Sequence, residues 1–252
     1  MPNLGLHIGF ALQASDRLGH PITQEHLGSY LLGCTTPDVR LYAGWKRERT
    51  HFFKLGTDSN GAGYEGLLRT HPHLRKSERL NRETVAFVLG YMSHLNTDET
   101  WIVNVYRRFF GAGTELADDP MCNVLDRVLQ FELDRQERDT ITDLEGALDA
   151  IGRAYEGIDV GFIEPNLLRE WRQVVINRSG RELPWDHFRG FLQRIRPEAD
   201  DDEVASIMAG LPTLLEQVRA HVNDSEVRAF REQALDAFVA SASDYLTDGA
   251  VG

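Results

Sequence analysis

Apolar residues in this chain recur at three- and four-residue intervals, and no stretch sustains a two-residue alternation. That is the period of helices with one buried face, so the pattern predicts an all-α fold. Short helices are expected over 4–15 and 23–33, the second with Thr23 as its cap and Gly33 near its end. Residues 35–63 are rich in Gly, Thr and Asp and read as loop with one or two turns. His71-Pro72-His73 then breaks the chain before the long segment 82–110, which Gly111-Ala112-Gly113 ends. Segment 120–139 reads as a helix with Leu125, Val128, Leu129 and Phe131 on its buried side. Amphipathic helices follow over 143–155, 164–177, 184–195, 201–221 and 224–246. Without a repeat or a low-complexity linker, the expectation is one domain. A helical core over 1–140 carries C-terminal helices over 141–252 packed on it.

Composition narrows the function. At 252 residues the chain can bury a full core, and 42% hydrophobic with 26% charged residues is ordinary for a globular protein. No apolar run approaches the length of a membrane span, and Met1-Pro2-Asn3-Leu4-Gly5-Leu6-His7 lacks the form of a secretory signal. Cys34 and Cys122 stand alone and read as reduced thiols, so a cytoplasmic location is expected. A net charge of -12 argues against duplex nucleic acid as partner. A small phosphoester stays compatible with that charge, because bound cations reverse the sign locally. The acidic run Glu198-Ala199-Asp200-Asp201-Asp202-Glu203 lacks the Gly and spacing of a calcium loop and reads as the start of a helix. Phosphate-loop and nucleophile-elbow motifs are absent, and neither cysteine has the local signature of a catalytic thiol.

The informative chemistry lies in the N-terminal half, where seven of the nine histidines fall within the first 94 residues. His94 and Asp98 are four positions apart in Gly90-Tyr91-Met92-Ser93-His94-Leu95-Asn96-Thr97-Asp98, so a helix puts both side chains on one face. They continue the apolar run Val85-Ala86-Phe87-Val88-Leu89, and buried polar groups need partners; a divalent metal satisfies both. His7 on the opening helix, Asp38 behind the stiff Pro37, and His51 before Phe52-Phe53 are further candidates. Imidazole nitrogens and carboxylate oxygens suit zinc and related divalent ions. The competing readings are ordinary: a helix-surface ion pair for His94 and Asp98, an amphipathic-helix position for His7, an Asx-turn for Asp38 and a backbone-bonded core histidine for His51. His71 and His73 read as exposed loop residues, and Glu25 and Tyr91 as residues that orient an imidazole.

Taken together, His7, Leu32-Gly33 with Pro37-Asp38, Thr50-His51-Phe52, and Gly90-Tyr91-Met92-Ser93-His94 with Asp98 resemble the zinc-dependent phospholipase C family, whose all-helical fold is shared with single-strand-specific zinc nucleases. The resemblance covers about residues 1–110. It implies a multi-helix bundle of that kind, with Asp38, His51, His94 and Asp98 around one zinc. Asp98 would bridge to a second zinc held by His7 and the N-terminal amine. The implied activity is phosphodiester hydrolysis by a metal-bound water, with Asp38 and Asp98 as the carboxylates of the catalytic centre. The implied partner is a small phosphoester or a phospholipid head group, and one or two ions, zinc or another divalent metal, are the implied cofactor. The family's third site uses a further His and a His/Glu pair, yet no His occurs between His94 and His187; Asn104, Asp126, Glu132 and Asp134 are poor substitutes. That departure leaves open a non-catalytic helical scaffold that retains a structural metal.

Overall fold

Helix α1 (Leu4–Leu18) buries Leu6, Ile8, Phe10, Ala11 and Ala14 and stops at Gly19, whose left-handed backbone (φ 63°) closes the last turn. The computed structural model describes residues 3–56, 60–154 and 157–248, and those residues form helices, turns and loops with no strand. The helix expected over 23–33 begins earlier and is split. Pro21 opens α2 (Pro21–Glu25) with the His20 ring as its cap, and α3 (Leu27–Thr35) follows a break at His26. Thr23 caps nothing: its hydroxyl bonds the His20 carbonyl and Ser15 instead.

The segment expected as loop is largely turns of helix. A 3₁₀ turn at Thr36–Asp38 leads into α4 (Val39–Ala43), then α5 (Glu48–His51), and α6 (Ala62–Thr70) was not anticipated. These elements are too short to print a period in the sequence, and α6 takes its cap from a residue far along the chain. Residues 57–59 of the expected mobile loop lie outside the described residues. Asn81 caps α7 (Arg82–Thr100) through the Thr84 N–H at 2.8 Å. The expected helix 82–110 is continuous, but from Trp101 to Phe110 it widens to π-helix before ending at Gly111.

Helix α8 (Cys122–Thr140) buries Leu125, Val128, Leu129 and Phe131 as expected. Then come α9 (Leu144–Arg153), capped by Asp143, α10 (Pro165–Arg178), and α11 (Phe188–Ile195) behind a turn at Trp185–His187. The expected helix 201–221 is broken at Gly210, just ahead of Pro212, into α12 (Asp201–Ala209) and α13 (Leu211–His221). The acidic run starts α12, with Asp200 accepting the Glu203 N–H at 2.8 Å. Helix α14 (Asp224–Asp248) closes the described chain. No helix among the described residues is long and apolar enough to cross a membrane.

Helix α7 is the axis, buried nearly all round, with α3, α14, α1 and α6 packed against it. Helices α3 and α7 approach closely because a glycine sits at each side of the contact. A Cβ at Gly33 would overlap the Phe87 carbonyl, and one at Gly90 the Tyr30 carbonyl. One apolar core runs from Leu6 to Tyr245, so helices before and after residue 140 share it; a smaller cluster joins α8 to α11 and α12. The N-terminus of α1 is tied to α8: Leu6 N–H donates to Asp134 Oδ1 at 2.7 Å, and Arg138 holds the other carboxylate oxygen at 2.9 Å.

Candidate metal centre

Four separate segments deliver His7, Asp38, His51, His94 and Asp98 to one point. His7 comes from the second turn of α1, Asp38 from the 3₁₀ turn behind α3, His51 from the end of α5, and His94 and Asp98 from one face of α7. Asp98 is the hub. His51 Nε2 lies 3.1 Å from its Oδ2, His94 Nε2 3.6 Å from Oδ2, and His7 Nε2 3.6 Å from Oδ1. Asp38 Oδ1 is 3.9 Å from His51 Nε2. Two overlapping triads result, His7/His94/Asp98 and Asp38/His51/His94, each with its donor atoms within 4.8 Å of one another. Ligand atoms in a tetrahedral zinc site stand about 3.3 Å apart, given Zn–N near 2.05 Å. The spacings in the cluster bracket that value.

Hydrogen bonds on the far side of the rings decide what faces inward. His94 Nδ1 is 2.8 Å from the Cys34 carbonyl, which can only accept, so Nδ1 carries the proton and Nε2 keeps its lone pair. His51 Nδ1 is 3.1 Å from the Thr50 hydroxyl, which in turn donates to the Arg47 carbonyl, and the same assignment follows. The close α3–α7 crossing is what brings the Cys34 carbonyl to His94. Inside the cluster, His7 Nε2, His51 Nε2, His94 Nε2 and Asp98 Oδ1 have no hydrogen-bond partner, although all four atoms are buried. Lone pairs of two imidazoles aimed at one carboxylate repel one another unless a cation lies among them. The donor set and the orphaned atoms therefore fit a divalent metal of the zinc type.

Burial sets the charge states. It holds His7 well below the usual imidazole range, helped by the neighbouring His94, and it pulls His51 down to about 4. The Asp98 carboxyl, although buried, lies well below the ordinary carboxylate range and is ionised. Neutral imidazoles beside an ionised carboxylate are the forms that ligate metal. Four of the five residues are almost fully buried, whereas the Asp38 side chain keeps 12% of its surface, so the cluster opens to solvent on the Asp38 side.

Other expectations have mixed outcomes. Glu25 is exposed and pairs with Arg82, and the Tyr91 hydroxyl bonds the Thr50 carbonyl rather than an imidazole. Asp126 and Asp134 are committed elsewhere, to Trp101 with Gln130 and to Arg138 with the α1 N-terminus. His71 is half-buried and stacks on Phe162, while His73 is exposed against the Val160 carbonyl. Met1-Pro2, and with them the N-terminal amine, lie outside the described residues.

Three side chains near the cluster escaped the sequence reading. Arg47 Nη2 reaches Asp98 Oδ2 at 3.2 Å and its guanidinium covers the Phe53 ring. Arg40 Nε stands 3.9 Å from Asp38 Oδ1. Glu99, next to Asp98, accepts the N–H groups of Gly61 and Gly63, which caps α6 and ties that helix to α7. Arg47 and His51 sit four residues apart around one helical turn, the only local signal that could have linked them. Comparisons of the chain with protein-family models, with curated proteins and with solved structures give no match.

Proposed function

We propose that the protein is a metal-dependent phosphoester hydrolase of the zinc phospholipase C type. The observation that supports this most is the convergence of unpartnered imidazole and carboxylate atoms at a point that Asp38 leaves open to solvent. His94, His51 and Asp98 would hold a zinc ion with Asp38, and His7 would hold a second together with Asp98. Bound zinc supplies Lewis acidity toward a phosphoryl oxygen. The chain's residues do the rest. The Cys34 carbonyl and the Thr50 hydroxyl fix the imidazole tautomers, and Asp98 gathers the rings. Arg47 and Arg40, each against a cluster carboxylate, place positive charge where a phosphodiester would approach. Substrates of this reading are small phosphodiesters or phospholipid head groups. A cytoplasmic location belongs to the same proposal and rests on the two free thiols, Cys34 buried and Cys122 half-buried.

The opening at Asp38 favours an enzyme over the scaffold reading, because a purely structural zinc is closed off by its ligands. The test is zinc content by mass spectrometry together with phosphodiester hydrolysis, for the parent and for His94→Ala and Asp98→Asn. Expected are bound zinc and activity in the parent, both lost in folded variants. Folded variants that hydrolyse as the parent does would sink the proposal. Zinc without hydrolysis would leave the scaffold reading in its place.

A further inference from the structure

The open side of the cluster continues into a stretch of chain unlike the rest. Residues 39–56 start directly behind Asp38 and carry His51, so the segment is tied to the cluster at two points. The chain has a net charge of -12, yet this segment holds five cations, Arg40, Lys46, Arg47, Arg49 and Lys54, against one acid, Glu48. Arg40 and Arg47 face cluster carboxylates, whereas Lys46, Arg49 and Lys54 are exposed and make no ion pair among the described residues. The same segment carries the large apolar side chains that stay in solvent. Among the described residues these are Leu41, Tyr42 and Leu55, at 52%, 50% and 59% exposure. Single exposed apolar side chains are ordinary, but three within fifteen positions, interleaved with cations, are not.

Contacts bring these residues onto one face. The Trp45 N–H donates to the Arg40 carbonyl at 2.9 Å, and the Arg49 guanidinium lies over the Trp45 ring at 3.5 Å, which joins α4 to α5. Arg47 covers the Phe53 ring at 4.2 Å and holds the chain beyond α5 against the same turn. Arg49 and Lys54 line one cavity of about 550 Å³ with Phe52, Phe53 and Glu164, the residue that opens α10. Six residues further along α10, about 9 Å, Glu170 accepts the Tyr42 hydroxyl at 3.1 Å. The Leu41–Tyr42 end and the Arg49–Lys54 end therefore sit along the first turns of one helix. Arg107 Nη2 donates to the Leu55 carbonyl at 2.8 Å, so Leu55 is fixed at its backbone while its side chain stays exposed. The acids on this face, Glu48, Glu164 and Glu170, leave the three exposed cations unpaired.

We propose that residues 39–56 form a docking surface for an anionic phospholipid bilayer, which sets the Asp38 side of the cluster against the lipid head groups. Charge complementarity selects that occupant. Exposed lysine and arginine are drawn to an anionic leaflet, and leucine and aromatic side chains beside them enter the head-group region. The cation stems lie along apolar surface while their heads stay wet, so the mixture suits the boundary of the two media. A soluble phosphoester would use the cations and leave Leu41 and Leu55 in water. The inference rests on the proposed function for the chemistry at the metal, and narrows the substrate to a phospholipid met in its bilayer.

Two readouts test it. In the first, the full chain is sedimented with vesicles of phosphatidylcholine and with vesicles of phosphatidylcholine and phosphatidylserine. Partitioning should favour the anionic vesicles and weaken with salt. Lys46→Gln with Lys54→Gln should lower it roughly thirtyfold, about fivefold for each lysine. Leu41→Ser with Leu55→Ser should lower it at least roughly tenfold. Anionic vesicles with brominated acyl chains should quench the tryptophan fluorescence of the parent, and Trp45→Phe should remove that quenching. In the second, both paired variants, loaded with zinc, should lose hydrolysis of vesicle lipid while cleaving bis(4-nitrophenyl) phosphate as the parent does. Equal partitioning of the parent and both paired variants, or no preference for anionic vesicles, overturns the inference and leaves hydrolysis of the soluble diester standing. A parent that ignores vesicles and forms a dimer, dissociated by Leu41→Ser with Leu55→Ser, overturns it too and assigns the face to a second copy of the chain. Vesicle binding with neither substrate hydrolysed removes the proposed function and keeps the docking surface.

Discussion

His7 lies flat on His94, with ring centroids 3.7 Å apart and planes 11° from parallel. Two imidazoles can stack this closely in a buried place only while they are not both charged. Burial holds His7 well below its ordinary value and His51 at about 4 against 6.5. A histidine whose folded value is depressed binds its proton more readily in the unfolded chain. Its stabilising contribution is therefore complete above pH 6.5 and is lost as the pH falls toward 4. The metal-free protein should show a urea midpoint that drops steeply from pH 7 to pH 4.5. His7→Phe, which keeps a flat ring on His94 and removes one proton acceptor, should show a shallower drop and should not retain the second metal. An equal slope in parent and variant would count against the neutral stack.

Metal should stabilise the fold by mass action. Free zinc at 100 times its dissociation constant adds about 2.7 kcal/mol to unfolding, which for a chain of this size is a rise of several degrees in Tm. The shift should disappear with a chelator and in His51→Ala, whose Nε2 is shared between Asp38 and Asp98. Differential scanning calorimetry with and without chelator measures it. A zinc-induced shift that survives in both His51→Ala and His94→Ala would place the metal elsewhere.

The α3–α7 crossing is expected to tolerate nothing larger than glycine. Gly90→Ala would drive a methyl into the Tyr30 carbonyl, so the helices must separate at a cost of about 3 kcal/mol. The separation also draws the Cys34 carbonyl off His94, which releases the tautomer. Urea denaturation should show the stability loss, and zinc affinity should fall with it by at least roughly tenfold. Gly152→Ala, where an added methyl meets only ordinary contact with Ile176, is the matched control.

Glu99→Ala should free the start of α6. It removes the acceptor of two backbone N–H groups in a buried position, at a cost of about 2 kcal/mol. Burial raises the Glu99 carboxyl to about 7 against 4.5, so its own titration works against the fold at high pH: the penalty is absent below 4.5 and complete above 7. Hydrogen exchange across residues 60–70 should accelerate in the variant while α7 stays protected. Unchanged exchange there would show that the cap is not what holds α6.

Much of this was legible in the chain because its signals are local. The three- and four-residue period of α7 and α8, the four-residue step from His94 to Asp98, and the cap-rich start of α12 are all written within a few residues. What stayed hidden depends on distant partners. Helix α6 is capped by Glu99, α1 by Asp134, and His94 is oriented by a main-chain carbonyl in α3, which no side-chain pattern can announce. Thr23 has the chemistry of a cap, and the real cap is the His20 ring three residues earlier, because Pro21 has no N–H to lose.

The bond from Leu6 to Asp134 spans 128 positions. During synthesis all five residues of the cluster, the last of them Asp98, are made before the carboxylate that anchors α1. His7 is thus the first of them to be translated, on a helix whose anchor is made after all of them. A chain cut between residues 98 and 134 would contain the whole ligand set and still lack the carboxylate that fixes the start of α1, so the cluster is supported from downstream, by a residue that takes no part in it.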